Sequence, residues 1–144
     1  MKKKLLKINL VTILLLVISC TKNDDNASNV DAIIGKWEYV TQFENGIQFT
    51  KNDCQPSTIE FTSNGNRNDK YYDQNPTNEC VLVDNVNLTW TKINNNTYQF
   101  NQNGGVYTEN VTFENGNNKL ILESSDTDGN GNSILYKFVY NRLN

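Results

Sequence analysis

From Ile33 to the C-terminus, bulky side chains fall on every second residue in short rows, and the rows are separated by clusters of Asn, Gly and Asp. A spacing of two builds β-strands and nothing else, because only a strand sends alternate side chains to one face. Trp37, Tyr39, Thr41 and Phe43 make the first row; Val86, Leu88 and Trp90 a later one; Tyr136, Phe138 and Tyr140 lie in the last. Between rows stand Glu44-Asn45-Gly46, Asn103-Gly104-Gly105, Glu114-Asn115-Gly116 and Asp128-Gly129-Asn130-Gly131. Asn-Gly reaches positive φ at little cost, so these are hairpin turns. About eight short strands at even spacing predict an all-β fold, a single antiparallel up-and-down barrel, with a sandwich as the alternative. The stretch from Asn64 to Asn78 lacks the apolar rhythm and contains Pro76, which predicts an exposed loop ending near Cys80. Tyr71 and Tyr72 then form an aromatic pair on that loop, a candidate recognition feature or a cover over the barrel mouth.

The first 19 residues have a different character. Lys2, Lys3, Lys4 and Lys7 precede an apolar run from Leu10 to Ile18 that is too short for the roughly 20 residues a bilayer span needs. Val17-Ile18-Ser19-Cys20 resembles the lipobox of bacterial lipoproteins, which predicts a signal peptide over residues 1–19 and acylation, palmitate included, at Cys20. A packed N-terminal segment is the alternative. Residues 20–32 are polar and aperiodic, a lipidated flexible tether, and residues 33–144 are the folded domain. Lys22-Asn23-Asp24-Asp25 is similar to the acidic tag that sends some Gram-negative lipoproteins to the cell surface, although a charge run is also an ordinary solvated spacer. The expected location is the cell envelope, lipid-anchored to the outer membrane.

Loss of residues 1–19 removes four of the 13 basic residues and none of the 16 acidic ones, leaving a net charge of about -7. Nucleic acid, which needs clustered Lys and Arg, is excluded as a partner. With Cys20 assigned to lipid, Cys54 and Cys80 remain; an even pair in an exported domain reads as a disulfide. Closing a loop of about 26 residues would contribute roughly 3 kcal/mol. Zinc ligation is the rival, but zinc wants four close ligands and the chain contains no histidine. The same absence rules out Ser-His-Asp and Cys-His catalysis.

Ile34-Gly35-Lys36-Trp37, followed by Cys54, the Ser57-Thr58-Ile59-Glu60-Phe61 segment, Cys80, Leu88-Thr89-Trp90 and a Tyr-rich final strand, resembles the lipocalin-like domain of small bacterial lipoproteins, within the lipocalin superfamily. The resemblance covers residues 33–144. It implies that Gly35 and Trp37 form the motif at the closed end of a lipocalin-like barrel, with Arg142 laid over the Trp37 ring. Lipocalin pockets differ between members, so the resemblance carries no ligand-contact set.

Asp126, Asp128 and Asn130, with Gly131, match the first half of an EF-hand calcium loop. Position twelve is Lys137 where a bidentate Glu is required, so calcium is a weak candidate beside a plain hairpin turn. Glu38, Glu60, Glu109 and Glu123 are expected on the solvent face of their strands, with the reservation that a binding barrel tolerates an inward Glu or Tyr. The expected function is non-catalytic binding of a small apolar ligand in the lumen, by a monomer without a cofactor. The alternative is a surface module that contacts protein or glycan through its loops over a filled barrel. An enzyme would show itself by a polar lumen with convergent carboxylates.

Overall fold

The computed structural model describes residues 30–49, 54 and 56–144. Cys20, the signal peptide and most of the tether lie outside the described residues. Nine strands follow in order: β1 (Gly35–Glu44), β2 (Ile47–Phe49), β3 (Thr58–Phe61), β4 (Asn66–Gln74), β5 (Cys80–Lys92), β6 (Thr97–Gln102), β7 (Gly105–Glu114), β8 (Lys119–Thr127) and β9 (Ser133–Leu143). Each pairs antiparallel with its neighbour, and β9 returns to β1, so eight strands close an up-and-down barrel while β2 hangs as a short flap on the upper half of β1. Closure joins the eight strands in a ring, and between β7 and β8 the pairing is confined to Asn110–Glu114 and Lys119–Glu123. Among the described residues there is no helix.

The Asn-Gly turns do what their chemistry allows. Asn45-Gly46 has φ of 49° and 81°, and Asn103-Gly104 has 51° and 85°, both central residues positive as a type I′ hairpin demands.

Two expectations about the strands are corrected. Residues 64–78 are not a loop: Asn66–Gln74 is strand β4, registered on β3 from Phe61↔Arg67 to Thr58↔Lys70 and on β5. Its sequence hides the strand because the inward positions are Arg67, Asp69 and Tyr71, two of them charged. The first aromatic row is also broken. β1 changes register against β9 between Tyr39 and Thr41, a β-bulge that exchanges the two faces of the strand. Gln42 then takes the lumen side, and Phe43 lies outside, 5.9 Å under Lys137 Nζ.

The lower half of the barrel is filled. Trp37, Phe61, Tyr98, Phe100, Leu120 and Leu122 are all buried there in one cluster, and residues 30–34 cross beneath them. Trp37, fully buried, donates through Nε1 to the Ile33 carbonyl at 2.8 Å. Arg142 lies with its guanidinium 4.0 Å from the centre of the Trp37 ring. It donates to the carbonyls of Ala32, Ile34 and Asn117 at 2.6, 3.0 and 2.8 Å, so one side chain binds the N-terminal segment, the β7–β8 turn and the last strand together. Gly35 makes room for it: φ is +134°, and a Cβ there would stand 2.6 Å from Arg142 Nη1. Tyr98 completes this end by donating to Asp31 Oδ1 at 2.6 Å, beside a Lys92–Asp31 ion pair at 2.9 Å.

At the other end a disulfide joins Cys54, between β2 and β3, to Cys80 at the start of β5, with Cα atoms 5.5 Å apart. Here the barrel wall also parts. β8 pairs with β7 only from Asn110↔Glu123 downward, and above that point β8 is bonded to β9 alone.

Candidate functional site

Above the filled half lies a cavity of about 420 Å³. Its wall is mixed: Val86, Leu122 and Phe138 stand beside Gln42, Ser57, Gln102 and Asp84, with four tyrosines, Tyr39, Tyr71, Tyr107 and Tyr140. The floor is ionic. Three charged side chains, Arg67 and Asp69 from β4 and Glu109 from β7, meet with only 6%, 3% and 8% of their surfaces exposed.

Alternation places them. Arg67 and Asp69 are two residues apart on one strand and so point the same way; Glu109 shares a face of β7 with Val111, which is core. Arg67 Nε and Nη2 donate to the two oxygens of Asp69 at 2.8 and 2.7 Å, a bidentate pair. The guanidinium rests over two neighbouring rings, its centre 5.3 Å from Phe61 and 4.9 Å from Phe100, whose centroids are 6.2 Å apart. The third contact is loose. Arg67 Nη1 and Glu109 Oε2 are 3.5 Å apart, an ion pair without a hydrogen bond, and both atoms are buried without a hydrogen-bond partner. Such atoms are uncommon, since an unmet buried polar group costs about 1–3 kcal/mol.

The electrostatics follow from burial. Desolvation disfavours the Arg67 charge, yet the field and hydrogen bonds of Asp69 outweigh it and hold the guanidinium protonated. Burial pushes the Glu109 carboxyl up; Arg67 pulls it back in part, and Asp69 adds to the rise. Burial raises Tyr140 well above its ordinary value, and it raises Tyr71 and Tyr107 as well. All three remain neutral phenols at physiological pH.

Glu109 therefore corrects the expectation that it faces solvent. The signal was present: Glu109, Val111 and Phe113 share one period-two row. Tyr71 and Tyr72 belong to β4 and not to a loop, and a bulge in the β4–β5 pairing falls between them. Tyr71 lines the cavity and donates to Asp69 Oδ2 at 3.3 Å; the backbone N–H of Tyr72 reaches the Ser57 hydroxyl at 3.3 Å, and its side chain is not among those lining the cavity.

The calcium candidates are engaged in their own turn. Asp128 accepts from the backbone of Asn130 and Asn132 and from the Asn132 amide at 2.8–2.9 Å, and Asp126 accepts from Thr127 N–H at 2.7 Å. Hydrogen bonds from Asn132 hold the Asp128 carboxyl below its ordinary range. Among the described residues no group of three acidic, Cys or His side chains converges as a metal site. Gly35, Trp37 and Arg142 sit at the closed end, away from the cavity lining.

No protein-family model and no curated protein matches the chain. Solved structures do. Bovine odorant binding protein in complex with its natural ligand superposes with a TM-score of 0.48 at 16% identity, over 81% of this chain and 74% of that one. Lobster apocrustacyanin A1 gives 0.48 at 14% identity, and apocrustacyanin C1 gives 0.50 at 13%. Each crustacyanin match covers 82% of this chain, which spans 64% of theirs. At such identity the likeness to apocrustacyanin C1 is one of fold alone. The architecture of this chain is a closed, eight-stranded, lipocalin-like barrel.

Proposed function

We propose that the chain is a non-catalytic binding protein that takes a small ligand with an apolar body and one polar end into the upper lumen. The carrying observation is the cavity of about 420 Å³ with two unpartnered buried polar atoms, Arg67 Nη1 and Glu109 Oε2, on its floor. Pockets of about 300–1,000 Å³ with few convergent polar groups suit small molecules. Val86, Leu122 and Phe138 would hold the body, and the ionic floor the polar end. The lumen does have the convergent carboxylates expected of an enzyme. Asp69, however, accepts two hydrogen bonds from Arg67 and one from Tyr71, which commits it to the floor and leaves Glu109 without Asp69 as a paired free acid.

Lipid anchoring through Cys20 belongs to the same proposal. The lipobox resemblance and the polar tether support it, as they support a location at the outer membrane of a Gram-negative envelope. Native mass spectrometry of protein extracted from its own membrane is expected to show a co-purifying small molecule that is reduced or lost in Val86→Trp, which projects an indole into the cavity. A wild-type protein free of ligand that also takes up none from a membrane extract refutes the binding reading.

A second reading has its own observation. Ile47, Phe49, Leu82, Val83, Val106 and Leu135 are exposed apolar side chains, all near the open end. Such a rim suits contact with a protein partner over the mouth. Reversal of an observed interaction by Leu82→Asp with Val83→Asp, with ligand retained, would favour it.

A further inference from the structure

The floor of the cup is unbalanced in charge. Among the residues lining the cavity, Asp69, Asp84 and Glu109 are carboxylates and Arg67 is the single cation. Asp69 alone suffices to neutralise Arg67, through two hydrogen bonds of 2.7 and 2.8 Å. Glu109 is thus a surplus charge, 92% buried by side-chain surface, and its Oε2 accepts no hydrogen bond although Arg67 Nη1 stands 3.5 Å away. Burial of a net charge is costly and is relieved by an opposite charge brought close.

We propose that the ligand of this lumen is a small protonated amine, its ammonium held at Glu109 Oε2. This rests on the reading of the lumen as a ligand site and names the chemical class that fits it. Three features select a cation. A third negative group, as a carboxylate or phosphate ligand would bring, meets Asp69 and Glu109 with only Arg67 Nη1 left to receive it and the Arg67 charge already balanced by Asp69. A hydroxyl could accept from Arg67 Nη1 and donate to Glu109 Oε2, yet it leaves the surplus charge untouched. An ammonium cancels it. The surroundings agree: Tyr39, Tyr71, Tyr107 and Tyr140 line the same space as neutral phenols, and aromatic faces attract cations. Asp84 in the wall places a further negative charge on the way in. Glu109 is also reachable from a second side, since it lines a smaller cavity of about 180 Å³ in the gap between β7 and β8, with Glu123 and Ser124.

The test uses three probes that share one ring and differ in the end group: tryptamine, its alcohol analogue tryptophol, and indole-3-propionate. Isothermal titration calorimetry on the purified full chain at pH 7 is expected to give tryptamine about tenfold tighter than tryptophol, the scale of one charged contact, with the propionate weakest. Glu109→Gln, isosteric and uncharged, should bring tryptamine and tryptophol to within about threefold of each other. The wild-type comparison stands on its own if that variant fails to fold. Equal binding of amine and alcohol, tighter binding of the propionate, or binding of none of the three at millimolar concentration overturns the amine assignment. None of these touches the co-purification result, so the lumen reading and the amine reading fail separately.

Discussion

Replacing Arg67 by methionine tests the ionic floor directly. Methionine keeps an unbranched stem over Phe61 and Phe100 and removes the charge and its hydrogen bonds. Asp69 then loses both hydrogen bonds from Arg67 and keeps only the one from Tyr71, and Glu109 loses its cation, so two buried carboxylates are left without a counter-charge. Breaking a buried pair in this way costs about 3–5 kcal/mol at pH 7. That is a large part of the roughly 5–15 kcal/mol that holds a domain folded. With a urea slope of about 1.5 kcal/mol/M, the midpoint should fall by about 2–3 M, followed by the fluorescence of Trp37 and Trp90. The deficit must also depend on pH. Burial already raises the Glu109 carboxyl and Arg67 pulls it back in part, so without Arg67 it rises further above its unfolded value of about 4 and the native state holds a proton that the unfolded state has released. Stability then falls as pH climbs through that window, and the deficit is smaller at pH 4.5 than at pH 7. A loss under about 1 kcal/mol, or one equal at both pH values, would refute the reasoning. The triple variant Arg67→Met, Asp69→Leu, Glu109→Met removes all three charges and is expected to return close to wild-type stability, since neutral packing replaces buried ions at little cost.

Trp37→Ala should lower stability by about 3–5 kcal/mol in the same urea assay, as a large-to-small change at a fully buried site. An unchanged midpoint would mean that the closed end does not depend on it. Gly35→Ala is expected to cost about 1–3 kcal/mol, because it demands φ near +134° of a residue with a Cβ and displaces Arg142. Cys54→Ala with Cys80→Ala should cost about 3 kcal/mol, with the oxidised wild type and the double variant compared in non-reducing buffer. Cys20→Ala is expected to abolish labelling by an alkyne fatty acid; a labelled variant refutes the lipobox reading.

The strand count, the hairpin turns and the all-β class were legible because apolar alternation and Asn-Gly chemistry are local. β4 was not, and the reason is physical. Its lumen-facing residues are charged, so the alternation is written in Arg67, Asp69 and Tyr71, and a hydrophobic rhythm does not detect it. The partners that make those charges tolerable, Glu109 from β7 and the rings of β3 and β6, come from distant sequence. The site was hidden for the same reason. Glu109 could have been found from its phase with Val111 and Phe113, where a charge two residues before a core valine marks an inward carboxylate. The bulge at Tyr39 and Thr41 left no comparable trace: Thr41 and Phe43 continue the row by pattern, and only pairing with β9 reveals that the faces have exchanged.

The cluster of Phe61, Arg67 and Phe100 also acts as a bulkhead. Below it sit side chains that keep the barrel folded; above it sit those that would meet a ligand. The separation is not the same for every wall position: Val86 and Phe138 line the cavity and also pack on the core cluster, whereas Gln42 and Gln102 line the cavity outside that cluster. Effects at well-separated sites add instead of compounding, so Gln42 and Gln102 can be varied one at a time with little call on the stability held lower down. A library confined to those two positions would search new ligand preferences on a scaffold that stays intact, and natural drift could take the same route.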